Sequence, residues 1–153
     1  FDITLHDVMP PGMGMPGGDP AQMNLSIVRG DGFIPTWTPL GPAGDDGDLF
    51  GDGLLLDDSG GQPLCQPHDP VAGSNVLTIT YQLEIQDPDL VPETLLANGG
   101  GVTSYAGTEG GPSHVDPTNP ADFTESALTT LASPLLLKTL VSTEIVDATN
   151  GAA

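Results

Sequence analysis

Alternation of apolar and polar residues is the clearest pattern in this chain, and it predicts β-strands. Successive side chains of a strand point to opposite faces of a sheet, so a period of two marks a half-buried strand. Residues 77–86 alternate without interruption. This alternation predicts one long antiparallel strand over residues 75–86 with one solvent-exposed face. Residues 1–8 alternate in the same way and end at Met9-Pro10-Pro11-Gly12, where the prolines remove backbone donors.

Weaker patterns predict further short strands. Residues 94–97 and 102–106 are interpreted as two strand segments separated by an interruption at Gly99-Gly100-Gly101. The remaining strand-like segments are residues 24–28, 32–38, 123–131 and an apolar run at 134–146. About seven strands without an amphipathic helix predict an all-β fold, an antiparallel β-sandwich.

One segment does not follow the strand pattern. Residues 39–70 are rich in Gly, Asp and Pro and are punctuated by three consecutive leucines, Leu54 to Leu56. A typical connection has about 4–6 residues, so this segment is interpreted as a long acidic loop insertion. The predicted organisation is a sandwich over residues 1–132 that contains this insertion, followed by an extended C-terminal strand and tail over 133–153.

Composition limits the partners. The chain has 2 Lys and Arg against 21 Asp and Glu, a net charge of -19. Such a surface repels nucleic acid and anionic lipid and favours divalent cations. No apolar run is long enough to span a bilayer, so no membrane insertion is expected. The first residue is Phe1 and no leader precedes it, which predicts a processed chain or a piece of a longer one.

The acidic part of the insertion predicts a calcium site. Calcium needs several oxygen ligands at once, and residues 45–58 supply carboxylates on a Gly-rich backbone. The segment departs from the helix-flanked calcium loop, because Phe50 occupies a ligand position and no helices flank it. The alternative is a solvated acidic loop. The candidate calcium ligands are Asp46, Asp48, Asp52 and Asp57.

The sequence gives little support for a catalytic site, and we expect that the chain is not an enzyme. Three histidines stand beside acids, at His6, His68 and His114, but nothing in the pattern brings them together, and exposed surface histidines are expected instead. Cys65 is the only cysteine, which excludes an internal disulfide, and it has no neighbouring base. Asn24 begins a glycosylation sequon, a pattern that is frequent by chance.

Several strand patterns carry motifs in a characteristic order. They are FDITLHDVMPPG at 1–12, VLTITYQL at 76–83, LLAN at 95–98 followed by VTSY at 102–105, and LLKT at 136–139. This series resembles the conserved immunoglobulin-like repeats of large bacterial surface proteins, relatives of fimbrial isopeptide-forming domains. In that family the Lys strand opens the repeat, whereas here it stands near the C-terminus. The resemblance therefore implies a repeat cut out of register, whose last strand belongs to the next unit.

The resemblance also implies specific residues. In the isopeptide relatives a buried Lys joins an Asn side chain with the help of a carboxyl group, which nominates Lys138 and Asn98, with Asp7 or Glu84 as the acid. The alternative is that Lys138 snorkels to the strand edge or pairs with a carboxylate. The residues expected to contact a neighbouring subunit are Leu135, Leu136, Leu137 and Leu140.

Three functions follow as hypotheses. The first is an extracellular or cell-surface structural role, a subunit or repeat of a bacterial filament or stalk. Copies of the chain or adjoining repeats would then join head to tail by strand addition, with Phe1 to Val8 as one acceptor. The second is a calcium-dependent adhesion module. The third, a carbohydrate-binding accessory domain, rests only on Trp37, Tyr81 and Tyr105 as stacking residues.

Overall fold

The computed structural model describes residues 1–57, 63–65 and 71–132, and within them the chain is all-β. These residues contain four short 3₁₀ helices and no α-helix. The high content of Gly and Pro explains this, since both residues disfavour helix interiors. The strands are β1 (Thr4–Val8), β2 (Met13–Gly14), β3 (Ser26–Arg29), β4 (Thr36–Pro39), β5 (Leu54–Asp57), β6 (Leu77–Thr80), β7 (Glu84–Ile85), β8 (Leu95–Ser104) and β9 (Thr124–Thr130).

All described strand pairs are antiparallel. Five strands form the main sheet in the order β4-β5-β1-β8-β9, and two pairs, β2-β7 and β3-β6, form small sheets. β1 lies inside the main sheet, with Thr4 opposite Leu55 of β5 and opposite Ser104 of β8. β1 is therefore paired on both sides at Thr4 and Leu5, whereas His6 to Val8 pair only with β8 among the described residues. Addition of a donor strand beside Phe1 to Val8 stays a prediction.

One hydrophobic core joins the main sheet to the β3-β6 pair. Leu5, Leu54 and Leu56 of the main sheet lie in the same buried cluster as Ile27 of β3. Leu77 and Ile79 of β6 pack against that cluster. Sheets that share one core in this way are consistent with a β-sandwich. The prediction of an all-β chain with antiparallel sheets is confirmed.

The prediction of one long strand over residues 75–86 was wrong. The chain forms β6, which pairs with β3, and then β7, which pairs with β2. β6 ends because its partner begins at Ser26, opposite Thr80, and the next available partner belongs to another sheet. The alternation was nevertheless informative, since Tyr81 and Leu83 are half-buried while their neighbours Thr80, Gln82 and Glu84 are exposed. The pattern reported side-chain direction but not sheet membership.

The predicted break at the three glycines was also wrong. β8 continues through Gly99, Gly100 and Gly101, which pair with β1 on one side and β9 on the other. A Cβ atom on Gly101 would lie 2.8 Å from the Phe123 carbonyl oxygen. Glycine is therefore needed there for close approach of the backbones rather than to end the strand.

Residues 39–70 do not form a simple loop insertion in their described part. They contain a 3₁₀ helix (Asp46–Phe50) and β5, and Leu49, Leu54, Leu56 and Leu64 are buried in the core. The loop interpretation failed because Gly, Asp and Pro dominate the composition while a few leucines supply the packing. Residues 58–62 and 66–70 lie outside the described ranges.

Arg29, one of the two basic residues, attaches the segment around Leu64 to β3. Its Nη1 donates to the Leu64 carbonyl oxygen at 2.7 Å, while Nε and Nη2 donate to the two carboxylate oxygens of Asp31 at 2.9 and 2.7 Å. The guanidinium carbon lies 4.6 Å from the centre of the Phe33 ring. The hydrogen bonds from Arg29 hold the pKa of Asp31 below its ordinary value.

β9 forms one edge of the main sheet, and within the described residues it pairs only with β8. All seven of its residues are exposed, including Leu128 at 69%. Leu95 of β8 is 63% exposed beside it. The predicted strand and tail over 133–153, with Lys138 and the leucines 135, 136, 137 and 140, lie outside the described ranges. Among the described residues no helix is long and apolar enough to cross a membrane.

Candidate functional site

Three polar side chains from distant parts of the chain meet beside the core. Asp7 is supplied by β1, Asn98 by β8, and Tyr81 by the segment between β6 and β7. All three are half-buried. Tyr81 Oη donates to Asp7 Oδ2 at 2.8 Å. This Asp7–Tyr81–Asn98 cluster unites two of the residues that the family resemblance nominated for an amide bond.

One orientation of the Asn98 amide gives its nitrogen two acceptors. In that orientation Nδ2 donates to Asp7 Oδ1 at 3.1 Å and to the Val8 carbonyl oxygen at 3.0 Å. The amide oxygen then faces Tyr81 Oη at 3.1 Å. Hydrogen-bond networks are the normal basis for assigning amide orientation. The amide nitrogen is therefore next to a carboxylate. The Tyr81 hydroxyl has one proton, which it donates either to Asp7 Oδ2 or to this amide oxygen.

Packing keeps Tyr81 in this position. Its ring meets Phe50 edge to face, with 5.3 Å between the ring centres and planes at 88°. Desolvation by burial, reinforced by the hydrogen bond to Asp7, raises the pKa of Tyr81 to about 12. The phenol therefore keeps its proton at every physiological pH and remains a hydrogen-bond donor.

The raised pKa of Tyr81 predicts a loss of stability in alkaline solution. Between about pH 10 and pH 12 the unfolded chain releases this proton while the folded chain retains it. The free energy of unfolding should therefore fall between about pH 10 and pH 12. Below this window the ionisation of Tyr81 should add no pH dependence. In the Tyr81→Phe variant we expect the free energy of unfolding to fall less between about pH 10 and pH 12 than in the unmodified chain. Urea unfolding of both proteins at pH 8, 10, 11 and 12 measures the difference, and parallel curves would contradict it.

The other nominated groups lie elsewhere. Glu84 is exposed in β7, opposite Gly14 of β2, and its side chain contacts Gln86 at 3.5 Å. Of the two acids considered, Asp7 is the one that contacts Asn98. Lys138 lies outside the described residues. The sequence analysis considered Tyr81 only as a stacking residue, although its inward position in the alternating segment was the signal that it lies near the core.

The candidate calcium ligands have different environments. The buried Asp48 accepts hydrogen bonds through Oδ2 from the backbone nitrogens of Gly41 and Gly44, both at 3.0 Å. Asp46 Oδ1 accepts from Trp37 Nε1 at 2.8 Å. Asp52 is exposed in a turn after the 3₁₀ helix, and the backbone of Asp57 pairs with Thr36. Asp46 and Asp48 thus already satisfy protein donors.

The histidines show no convergence in the described residues. His6 lies in β1, and the His114 ring lies 5.5 Å from the Tyr105 ring. His68 lies outside the described ranges. Across residues 1–57, 63–65 and 71–132, no group of three or more His, Cys, Asp or Glu side chains is placed to hold a metal ion.

Comparison with known proteins supplies no relative. A scan against protein-family models, a search of curated proteins and a search of solved structures each found no match to this chain.

Proposed function

We propose that this chain is a structural subunit or repeat of an extracellular bacterial filament or surface stalk, with an Ig-like sandwich that joins its neighbours head to tail by strand addition. The observation that carries this proposal is the edge strand β9. Its backbone is paired on one side only within the described residues, and all its side chains are exposed. Unprotected strand edges of this kind recruit further strands.

The charge of the chain supports the same role. A net charge of -19 keeps separate copies apart unless specific contacts hold them together. Contacts between one strand and a different edge of the next copy are heterologous and propagate as a fibre unless they close into a ring. A surface whose charge is almost all negative therefore favours ordered end-to-end contacts over random aggregation.

Electron microscopy of the purified chain tests the proposal. The chain of residues 1–153 should form fibres or ordered oligomers at high concentration, and the matched chain of residues 1–132 should not. Raising the salt concentration should promote assembly, because it screens the repulsion between copies. Discrete monomers of residues 1–153 at every concentration and salt level would refute the structural role.

The Asp7–Tyr81–Asn98 cluster supports a covalent version of this assembly, which the family resemblance implies. The uncharged Lys138 amine would attack the Asn98 side-chain carbon, forming a C–N bond while the original C–N bond breaks. Tyr81 Oη faces the amide oxygen, where negative charge develops. The Asp7 carboxylate would take the proton that the Lys nitrogen loses and pass it to the departing nitrogen, so that ammonia leaves.

Intact mass measurement tests the covalent version. An amide bond between Lys138 and Asn98 lowers the mass by about 17 Da, the mass of one ammonia, for each bond formed. A bond within one chain gives a lighter monomer. Bonds between chains give a series of covalent multimers that remain joined after denaturation. Asp7→Asn should abolish the loss, whereas Glu84→Gln should leave it unchanged. A mass equal to that of the sequence rules the bond out.

We propose calcium-dependent adhesion as the second candidate function. It is supported by the density of carboxylates in the segment that holds Asp46, Asp48, Asp52 and Asp57, of which Asp52 is exposed. Trp37 Nε1 binds one oxygen of Asp46, and the Gly41 and Gly44 nitrogens bind one oxygen of Asp48. Calcium would take the second oxygen of each carboxylate.

Calcium binding at this segment would raise the melting temperature. A ligand at a hundredfold excess over its dissociation constant adds about 2.7 kcal/mol to the free energy of unfolding. Melting curves in chelator and in millimolar calcium measure the effect, and magnesium is the control for charge screening alone. Asp52→Asn should reduce the calcium shift without changing stability in chelator. Equal melting temperatures in calcium and magnesium would exclude a specific site.

A further inference from the structure

An apolar groove lies beside the beginning of β9. Its volume is about 850 Å³, and its lining is mainly hydrophobic. It is bordered by the residues before β1, by β8 and by the 3₁₀ helix (Pro120–Phe123), together with the short described segment 63–65. The residues that matter here are Phe1, Ile3, Cys65, Val102, Tyr105 and Phe123.

The groove carries negative charge. Asp122 and Glu125 line it, and both are exposed. Because Glu125 belongs to β9, the groove is continuous with the edge strand that lacks a second partner among the described residues. An apolar surface next to two carboxylates and an open strand edge suits an extended apolar peptide that carries a positive charge and no acid.

We infer that this groove and the adjoining edge of β9 bind residues 134–141 of a second copy of the chain. This inference rests on the proposed head-to-tail assembly and names its acceptor surface. The segment reads PLLLKTLV, so it contains four leucines, one base and no acid. Eight extended residues span about 26 Å, which matches the seven-residue β9. Its leucines enter the groove, and Lys138 pairs with Asp122 or Glu125.

Charge singles out this segment within the chain. Only two residues are basic, and Arg29 already binds Asp31 and the Leu64 carbonyl oxygen. Lys138 is the other base. Pairing of Lys138 with the groove carboxylates and its amide bond to Asn98 use the same amine and exclude each other. A mass loss of one ammonia would therefore overturn the groove assignment.

Cysteine crosslinking tests the inference, because Cys65 is the only native cysteine and lines the groove. Leu135→Cys and Leu136→Cys each add one thiol, at neighbouring positions that face opposite sides of an extended strand. Under mild oxidation one of the two variants should form disulfide-linked dimers and longer ladders, about tenfold more than the other. Ile85→Cys, in the separate β2-β7 sheet, is the control and should stay monomeric.

Each outcome decides the inference. An intermolecular ladder that contains a Cys65 disulfide, identified by peptide mapping, supports it. A disulfide within one chain overturns it in favour of the chain's own segment as occupant. Fibres that require residues 133–153 but give no Cys65 crosslink leave the filament proposal standing and remove the groove as acceptor. Absence of any assembly removes the filament proposal and this inference together.

Discussion

Leu54→Ala is expected to lower the free energy of unfolding by about 2–5 kcal/mol, the range for a leucine removed from a packed core. Leu54 is fully buried in β5, opposite Leu5 of β1 on one side and Pro39 of β4 on the other. Alanine leaves a cavity at the point where three strands of the main sheet meet. Urea unfolding followed by circular dichroism measures the loss.

The neighbouring Leu55 provides the matched control. It belongs to the same strand but points to the opposite face and is only half-buried. Leu55→Ala removes the same atoms, but less of this side chain is buried in the folded chain. Its effect on the free energy of unfolding should therefore be about 1 kcal/mol. Equal losses for the two variants would mean that β5 does not face the core as described and that the segment 39–57 is peripheral to the fold.

Asp48→Leu is expected to lower the free energy of unfolding by about 1–3 kcal/mol, because it removes the acceptor of the half-buried Gly41 nitrogen and of the Gly44 nitrogen. Asp48 is 5% exposed, and its Oδ2 atom accepts from both Gly41 and Gly44. A buried donor that loses its partner costs about 1–3 kcal/mol. The same residue's carbonyl oxygen also accepts from the backbone nitrogens of Gly51 and Gly53. Asp48 therefore organises the turns on both sides of the 3₁₀ helix.

The measurement needs calcium-free buffer and a conservative variant. Asp48→Asn keeps one acceptor oxygen for Gly41 and Gly44, and we expect it to retain most of the stability. If Asp48→Leu loses nothing in chelator and loses stability only in calcium, then the carboxylate acts as a metal ligand and not as an acceptor for the backbone. The pair of variants thus separates a structural carboxylate from a calcium ligand at the same residue.

The sequence predicted strands well where side-chain alternation was strong. The pattern at residues 1–8 corresponds to β1, and the thin pattern at 123–131 corresponds to β9. It could not predict which strand pairs with which, because a period of two specifies faces and not partners. That is why the segment 75–86 was read as one strand, although it contributes to two different sheets.

Composition misled the interpretation where a few residues determine the packing. Between residues 39 and 57, glycine and aspartate suggested a solvated loop, yet Leu49, Leu54 and Leu56 are core residues. The contact between Asp7 and Asn98 was anticipated only through the family resemblance, since these residues are 91 positions apart in the chain. Tyr81 joins them because its face of the strand and the Phe50 ring direct it there, and neither could be read from spacing alone.

The strand order of the main sheet also fixes where the molecule opens first. β9 can detach from β8 without taking a buried side chain of its own out of the core, because all its residues are exposed already. Separation of β1 would instead break pairings on two sides and expose Leu5. Local openings with little buried surface have the lowest free energies and dominate amide hydrogen exchange. Exchange should thus run as a gradient across the sheet, fastest over residues 124–130 and slowest in β1.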